Sequence, residues 1–238
     1  MNTHQYWRKS KGDGNCGWRA LTYSYFFLLL RLSTPSLIST ETARLKSLAD
    51  QLEGEYASVY ELFGEDAIAA LDQLKGWVED IEGGTMSWDA AEARLGERWE
   101  GKDLDQKMEN MNILQFFRTL TAHHISLPSN QPRFSSFLLA DEFPAYVSSL
   151  TQAATEIDEL GLSAMAEWLL WPAGLGLRVY DLNRSVGEKV DVVGYLPPEG
   201  ARRHEDAMVE LLFRPGHYDI LYEDKPGPFA APVTNTTS

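Results

Sequence analysis

Two stretches of the chain hold side chains whose types and spacing could do chemistry. The first is KGDGNCGWRALTYSYFFLLL (Lys11 to Leu30), where Cys16, the chain's one cysteine, sits in a glycine-rich turn. Its glycines Gly12, Gly14 and Gly17 also spell G-x-G-x-x-G, the spacing of a dinucleotide-binding turn. That reading needs a strand before the first glycine and an acidic residue about 20 positions on, at the end of a second parallel strand. MNTHQYWRKS shows no apolar alternation, and a proline-containing loop follows Leu30. A nucleophile reading asks for a thiol at a helix start, where the dipole and free N–H groups lower a cysteine pKa from about 8.5 to roughly 3.5–7.5. Cys16 stands where the turn enters a long apolar segment. The backbone N–H groups from Asp13 to Cys16 could gather around a developing oxyanion, with Gly12 and Gly14 permitting the dihedrals required. A lone cysteine is more often a small buried hydrophobe, but the flanking Asp, Asn and Gly weigh against that.

A thiolate nucleophile needs a base held by a third group. Among the five histidines, His4 lies in the N-terminal segment, and His204 sits between Arg202, Arg203, Glu205 and Asp206 in what reads as a solvated turn. His123 and His124 follow a helix end without a spaced third ligand for a metal, and read as cap and surface residues. His217 differs. In RPGHYDILY it opens a strand directly after Pro215-Gly216, and period two puts His217, Asp219 and Leu221 on one face. A carboxylate two residues along that face can orient the imidazole and stabilise its protonated form.

The elements that would position these groups are legible from periodicity. Gly17 to Leu30 lacks breakers and is apolar nearly all round, as a central buried helix would be. Ser33 to Ser36 reads as a loop. Leu45, Leu48, Leu52, Tyr56, Val59 and Phe63 predict one long amphipathic helix over 41–63. Further helices are predicted around Ala67 to Val78, Ala91 to Trp99, Met108 to Leu120, with Met111, Leu114 and Phe117 on one face, and Ile157 to Leu170. Beyond Pro172 the pattern changes to strands at Leu175 to Asp181, Val190 to Leu196, Met208 to Phe213 and His217 to Tyr222. The connections are too short for a crossover helix, so antiparallel neighbours are expected. Helices first and strands last imply an α+β domain, an N-terminal helical part packed on a C-terminal antiparallel sheet. The expected division is an N-terminal segment (1–10), a domain (11–222) and a mobile C-terminal tail (223–238) rich in Pro and Thr.

Composition narrows the partners. A formal net charge of −14 opposes binding to a nucleic-acid backbone, which depends on Lys and Arg neutralising phosphates. The longest apolar run, Tyr25 to Leu30, is too short to span a bilayer, and the first residues lack a signal-peptide layout. A cytoplasmic location, or a nuclear one, is expected. The sequons at Asn183 and Asn235 are expected to stay unmodified there.

DGNC followed by a long apolar helix (Asp13 to Cys16), and RPGHYDILY (Arg214 to Tyr222), resemble the otubains of the ovarian-tumour (OTU) class of deubiquitinating cysteine proteases. The segment ATEIDELGLSAMAEWLLWPAGLGLRVYDLN extends the likeness over most of residues 11–222. The resemblance implies a papain-like OTU fold, with Cys16 as nucleophile, His217 as general base, Asp219 as the residue orienting it, and Asp13 shaping the oxyanion turn. It also implies hydrolysis of ubiquitin isopeptide bonds through a thioester, without cofactor or metal, and ubiquitin, polyubiquitin chains and ubiquitin-conjugating enzymes as partners. Family members often carry an aromatic residue straight after the cysteine. Here Gly17 precedes Trp18, which is expected to alter the channel admitting the ubiquitin tail. Two other readings remain: a non-catalytic ubiquitin- or conjugating-enzyme-binding module, and a protease for a ubiquitin-like modifier.

Overall fold

The computed structural model describes residues 4, 6–139, 141–186, 189–201, 204, 207–222 and 231–232. Helix α1 (Cys16–Leu32) is buried on nearly every side, as its unbroken apolar sequence predicts. It lies against the sheet strands β4 (Met208–Arg214) and β5 (His217–Tyr222) and against helices α3 (Glu65–Glu82), α4 (Trp88–Glu100) and α5 (Leu104–Ser126). The Tyr222 ring meets Phe27 edge-on, and Phe26 stacks on Phe117 of α5. The element that carries Cys16 is thus the centre of the core.

The expected loop at Ser33 to Ser36 is only a corner. Ser33 adopts a left-handed φ of 52°, Thr34 takes the N-cap position with its hydroxyl donating back to Leu32 O, and Pro35 opens α2 (Pro35–Ala49) at a position where its missing N–H costs nothing. The helix predicted over 41–63 ends at Ala49. A turn, a tight helical turn at Gly54–Tyr56 and a wide one at Tyr60–Gly64 follow, with Gly54 at φ +60°. Leu52 and Val59 are still buried, so the apolar period persists without a continuous helix. Helices α3 and α4 lie where predicted. Helix α5 runs longer than predicted and buries Leu114, Phe117 and Leu120, whereas Met108 and Met111 are exposed. Two short helices, α6 (Gln131–Ser135) and α7 (Phe143–Leu150), were not anticipated; α8 (Glu159–Met165) continues as a wide turn to Leu170.

The sheet is mixed rather than antiparallel, in the order β3-β2-β4-β5-β1-β6. β2 (Gly176–Val186) and β3 (Lys189–Tyr195) form an antiparallel hairpin, so β2 runs past Asp181, the expected end of that strand. β4 lies on the other side of β2 and parallel to it, Leu177 opposite Val209. β3 and β4 thus flank β2, and the described residues of the link between them form no helix, so short length did not enforce an antiparallel pair. β4 and β5 then form a hairpin with Arg214 opposite His217. Its Pro215-Gly216 tip, with Gly216 at φ +72°, has the residue types of a turn whose third position needs a positive φ.

The first residues also belong to the sheet. β1 (Tyr6–Arg8) is antiparallel to β5, and β6 (Ala231–Pro232) pairs with β1. The segment expected to stand before the domain therefore forms a strand of it. Most of the tail expected to be mobile lies outside the described residues. Arg8 ties β1 to α1 by stacking over the Tyr23 ring, 4.4 Å from its centroid, and by donating to its hydroxyl.

Candidate active site

The nucleophile side is a turn closed on itself. Asp13 N–H donates to Lys11 O at 3.0 Å, and Asp13 Oδ1 accepts the Asn15 amide at 3.1 Å. Asp13 Oδ2 pairs with Arg19 on the first turn of α1 at 2.8 Å. Two of the amides expected around an oxyanion are thus spent on the turn itself; among the described residues those of Gly14 and Cys16 donate to no oxygen. Gly14, at φ +75°, lies so close to the 151–158 segment that a Cβ would stand 2.1 Å from Ala154 O. Only glycine satisfies both constraints.

Behind the turn stands a residue the sequence did not single out. Arg118 of α5 is 1% exposed, yet among the described residues none of its hydrogen bonds is to a carboxylate. It donates to Asn15 Oδ1 at 2.6 Å, Thr155 O at 2.7 Å and Leu150 O at 3.0 Å, and stacks over the Trp18 ring at 4.5 Å. Burial lowers its pKa to about 10, with the charge of Asp13 acting in the other direction. Trp18 is fully buried and donates Nε1–H to Thr155 O. It therefore belongs to the support of the turn and not to a channel mouth, which corrects the expectation placed on Gly17-Trp18. Gly17 has a packing reason: a Cβ there would lie 2.4 Å from Ile157 Cγ2 and 2.8 Å from Tyr218 Cδ2. The space next to the cysteine is already filled by those side chains.

On the base side, His217 Nε2 bonds Asp219 Oδ1 at 2.9 Å. Asp219 has no exposed surface; it also accepts the Ser10 amide at 3.0 Å on Oδ1 and Arg214 Nη2 on Oδ2. With Nε2 engaged, the ring's other nitrogen is the one left for chemistry. A Cβ on Gly12 would lie 3.7 Å from Nδ1, so the ring edge faces the turn that carries Cys16. The two sides also meet through the backbone, since the amide of Tyr218, next to His217, acts to lower the pKa of the Cys16 thiol. Among the described residues the thiol and the imidazole share no hydrogen bond.

The thiol is not acidified as predicted. Its pKa is raised, first by burial; the amides of Tyr218, Gly17 and Cys16 itself pull it down, and the carboxylate of Glu156 pushes it up. At 1% exposure, desolvation outweighs the helix start. Glu156 also lies near the hairpin tip, with Oε1 3.6 Å from where a Gly216 Cβ would be. From Ile157 and Tyr218 a cleft of about 950 Å³ extends between α8 and the sheet, walled by Phe134, Leu162, Val179 and Phe213 and edged by Glu156 and Asp158.

The remaining histidines stand apart. His4 Nε2 pairs with Glu210 Oε2 at 2.6 Å, and the His204 amide donates to Gly174 O. His123 and His124 occupy the last turn of α5, half-buried; burial lowers the His123 pKa, and His124 pairs with Glu167 at 3.2 Å. Among the described residues no cluster of His, Cys, Asp or Glu could hold a metal ion, and no helix is long and apolar enough to cross a membrane.

A cysteine at the start of a central helix thus stands on one side of the site, and a histidine–aspartate pair on a packed strand on the other. The family model for Peptidase C65 Otubain matches residues 1–223, and the chain belongs to that family. It is 27% identical over 227 residues to the ovarian tumor domain-containing deubiquitinating enzyme 1 of Arabidopsis thaliana, an alignment spanning 90% of this chain and 69% of that one. The fold is that of OTUB1 as solved in complexes with ubiquitin aldehyde. With UBC13~Ub the TM-score is 0.60 at 19% identity, covering 90% of this chain and 78% of the other. With UBCH5B~Ub it is 0.59 at 19%, covering 89% and 74%.

Proposed function

We propose that the protein is a deubiquitinating cysteine protease that hydrolyses the isopeptide bond between a ubiquitin C-terminus and a lysine amine. The observation that carries this reading is the His217–Asp219 pair, whose Nε2–Oδ1 bond leaves Nδ1 directed at the turn of Cys16. In the proposed reaction Nδ1 takes the thiol proton and the sulfur attacks the carbonyl carbon. The oxygen that becomes negative is met by the Gly14 and Cys16 amides. His217 then returns the proton to the departing lysine amine, leaving a thioester. A water deprotonated by the same imidazole attacks the thioester, and the carboxylate and free thiol are released. Asp13 holds the turn, Asp219 holds the ring, and no cofactor enters.

The ubiquitin complexes of OTUB1 and the name of the Arabidopsis relative support ubiquitin as substrate. The conjugating enzymes in the same complexes are proposed as further partners, and the cytosol or nucleus as location. The raised thiol pKa favours one rival, a non-catalytic binding module. A panel of di-ubiquitins of every linkage together with conjugates of ubiquitin-like modifiers, run beside Cys16→Ala, separates these readings. Cleavage of at least one linkage, absent in Cys16→Ala, is expected; binding without turnover favours the module, and turnover of a ubiquitin-like conjugate alone changes the substrate assigned.

A further inference from the structure

We propose that Arg214 is a positioning residue that sets the basicity of His217 through Asp219. The inference rests on His217 acting as the base, and concerns a residue outside the nucleophile–base–acid set. Asp219 is wholly buried, and its partners come from the chain around it: His217 on its own strand, the Ser10 amide beyond β1, and Arg214 on β4. Arg214 is the cation among them. Its side chain is 44% exposed and reaches inward past the Trp7 ring, 5.8 Å from its centroid, to the oxygen the imidazole does not use. Arg214 and His217 are also the facing residues that close the hairpin, so the tight Pro215-Gly216 tip keeps the cation and the base in register.

A carboxylate shared between an imidazole and a guanidinium attracts the imidazole proton less than an unshared one, because the guanidinium offsets part of its charge. Arg214 thus keeps His217 able to give its proton up to a leaving amine, while fixing Oδ1 toward Nε2. Among the described residues, the other charged and titratable groups on this side of the site include Cys16 and the Asp13–Arg19 pair on the turn and α1, and Glu156 on the segment before α8.

The test is an NMR titration of the His217 ring in the full chain, its signal assigned by loss in His217→Gln, for wild type, Arg214→Gln and Arg214→Lys. Arg214→Gln is expected to raise the His217 pKa by up to about 1 unit, the lower end of the effect of a nearby charge, and Arg214→Lys to restore most of it. On a ubiquitin-chain substrate, Arg214→Gln should lower kcat several-fold, leave KM nearly unchanged and move the acidic limb of the pH profile upward, because the base must be unprotonated to take the thiol proton. A His217 pKa in folded Arg214→Gln equal to wild type overturns the proposal. The titration needs no turnover, so a wild-type protein that cleaves nothing defeats the proposed function while the role of Arg214 is still decided.

Discussion

The two sides of the site are built on different principles. The nucleophile turn is fixed from within: Gly14 is pressed against Ala154, Asn15 is held by a buried guanidinium, and Trp18 is sealed beneath. The base side is fixed at the end of a hairpin, with a buried Asp219 but a half-exposed Arg214 and a neighbouring Glu156 reachable by solvent. Changes on the first side should therefore be paid in folding stability, and changes on the second in rate and pH dependence.

The largest effect expected on the nucleophile side is that of Arg118→Met. It removes a donor from Leu150 O, Asn15 Oδ1 and Thr155 O, of which the last two keep the Ala154 amide and Trp18 Nε1–H, and unfolding in urea should show a loss of about 1–3 kcal/mol, the range for leaving a buried acceptor unsatisfied. A loss under 1 kcal/mol would break the comparison. Next is Gly17→Ala, whose methyl group meets Ile157 and Tyr218; an overpacking cost of about 1–3 kcal/mol is expected in the same assay. On the base side, Asp219→Asn should lower kcat by about 10²–10⁴, by analogy with the orienting acid of a triad. Its pH profile, unlike that of Arg118→Met, should change shape.

The smallest effect is the most specific. Glu156 raises the Cys16 pKa, so Glu156→Gln should lower it by less than one unit. Because a lower thiol pKa means more thiolate at a given pH, iodoacetamide should modify the variant at lower pH than the wild type. The chain has one cysteine, so the mass shift reads that site alone. An unchanged profile would remove Glu156 from the electrostatics of the thiol.

Local chemistry was legible in the sequence where residue type and geometry coincide within a few positions. The DGNC turn, the helix behind it and the RPGH hairpin with Asp219 two residues on are all of this kind. What escaped depends on distant partners. Arg118 lies 103 positions from Asn15, and Trp18 lies 137 from Thr155, so neither role leaves a periodic trace. Tyr6–Arg8 is three residues long with polar neighbours, too short for alternation to register. The parallel pairing of β2 with β4 was missed because a link without a helix was assumed unable to cross a strand. The thiol pKa was misjudged because a helix start is visible in sequence and the depth of burial is not.

The most direct test is the reaction of the intact protein, under reducing conditions, with ubiquitin bearing a C-terminal electrophile, read by intact mass and peptide mapping. A single adduct at Cys16 is predicted, absent in Cys16→Ala and slowed many-fold in a folded His217→Ala. No adduct on folded wild-type protein, or labelling at an undiminished rate in His217→Ala, would contradict the assignment of Cys16 and His217 as nucleophile and base.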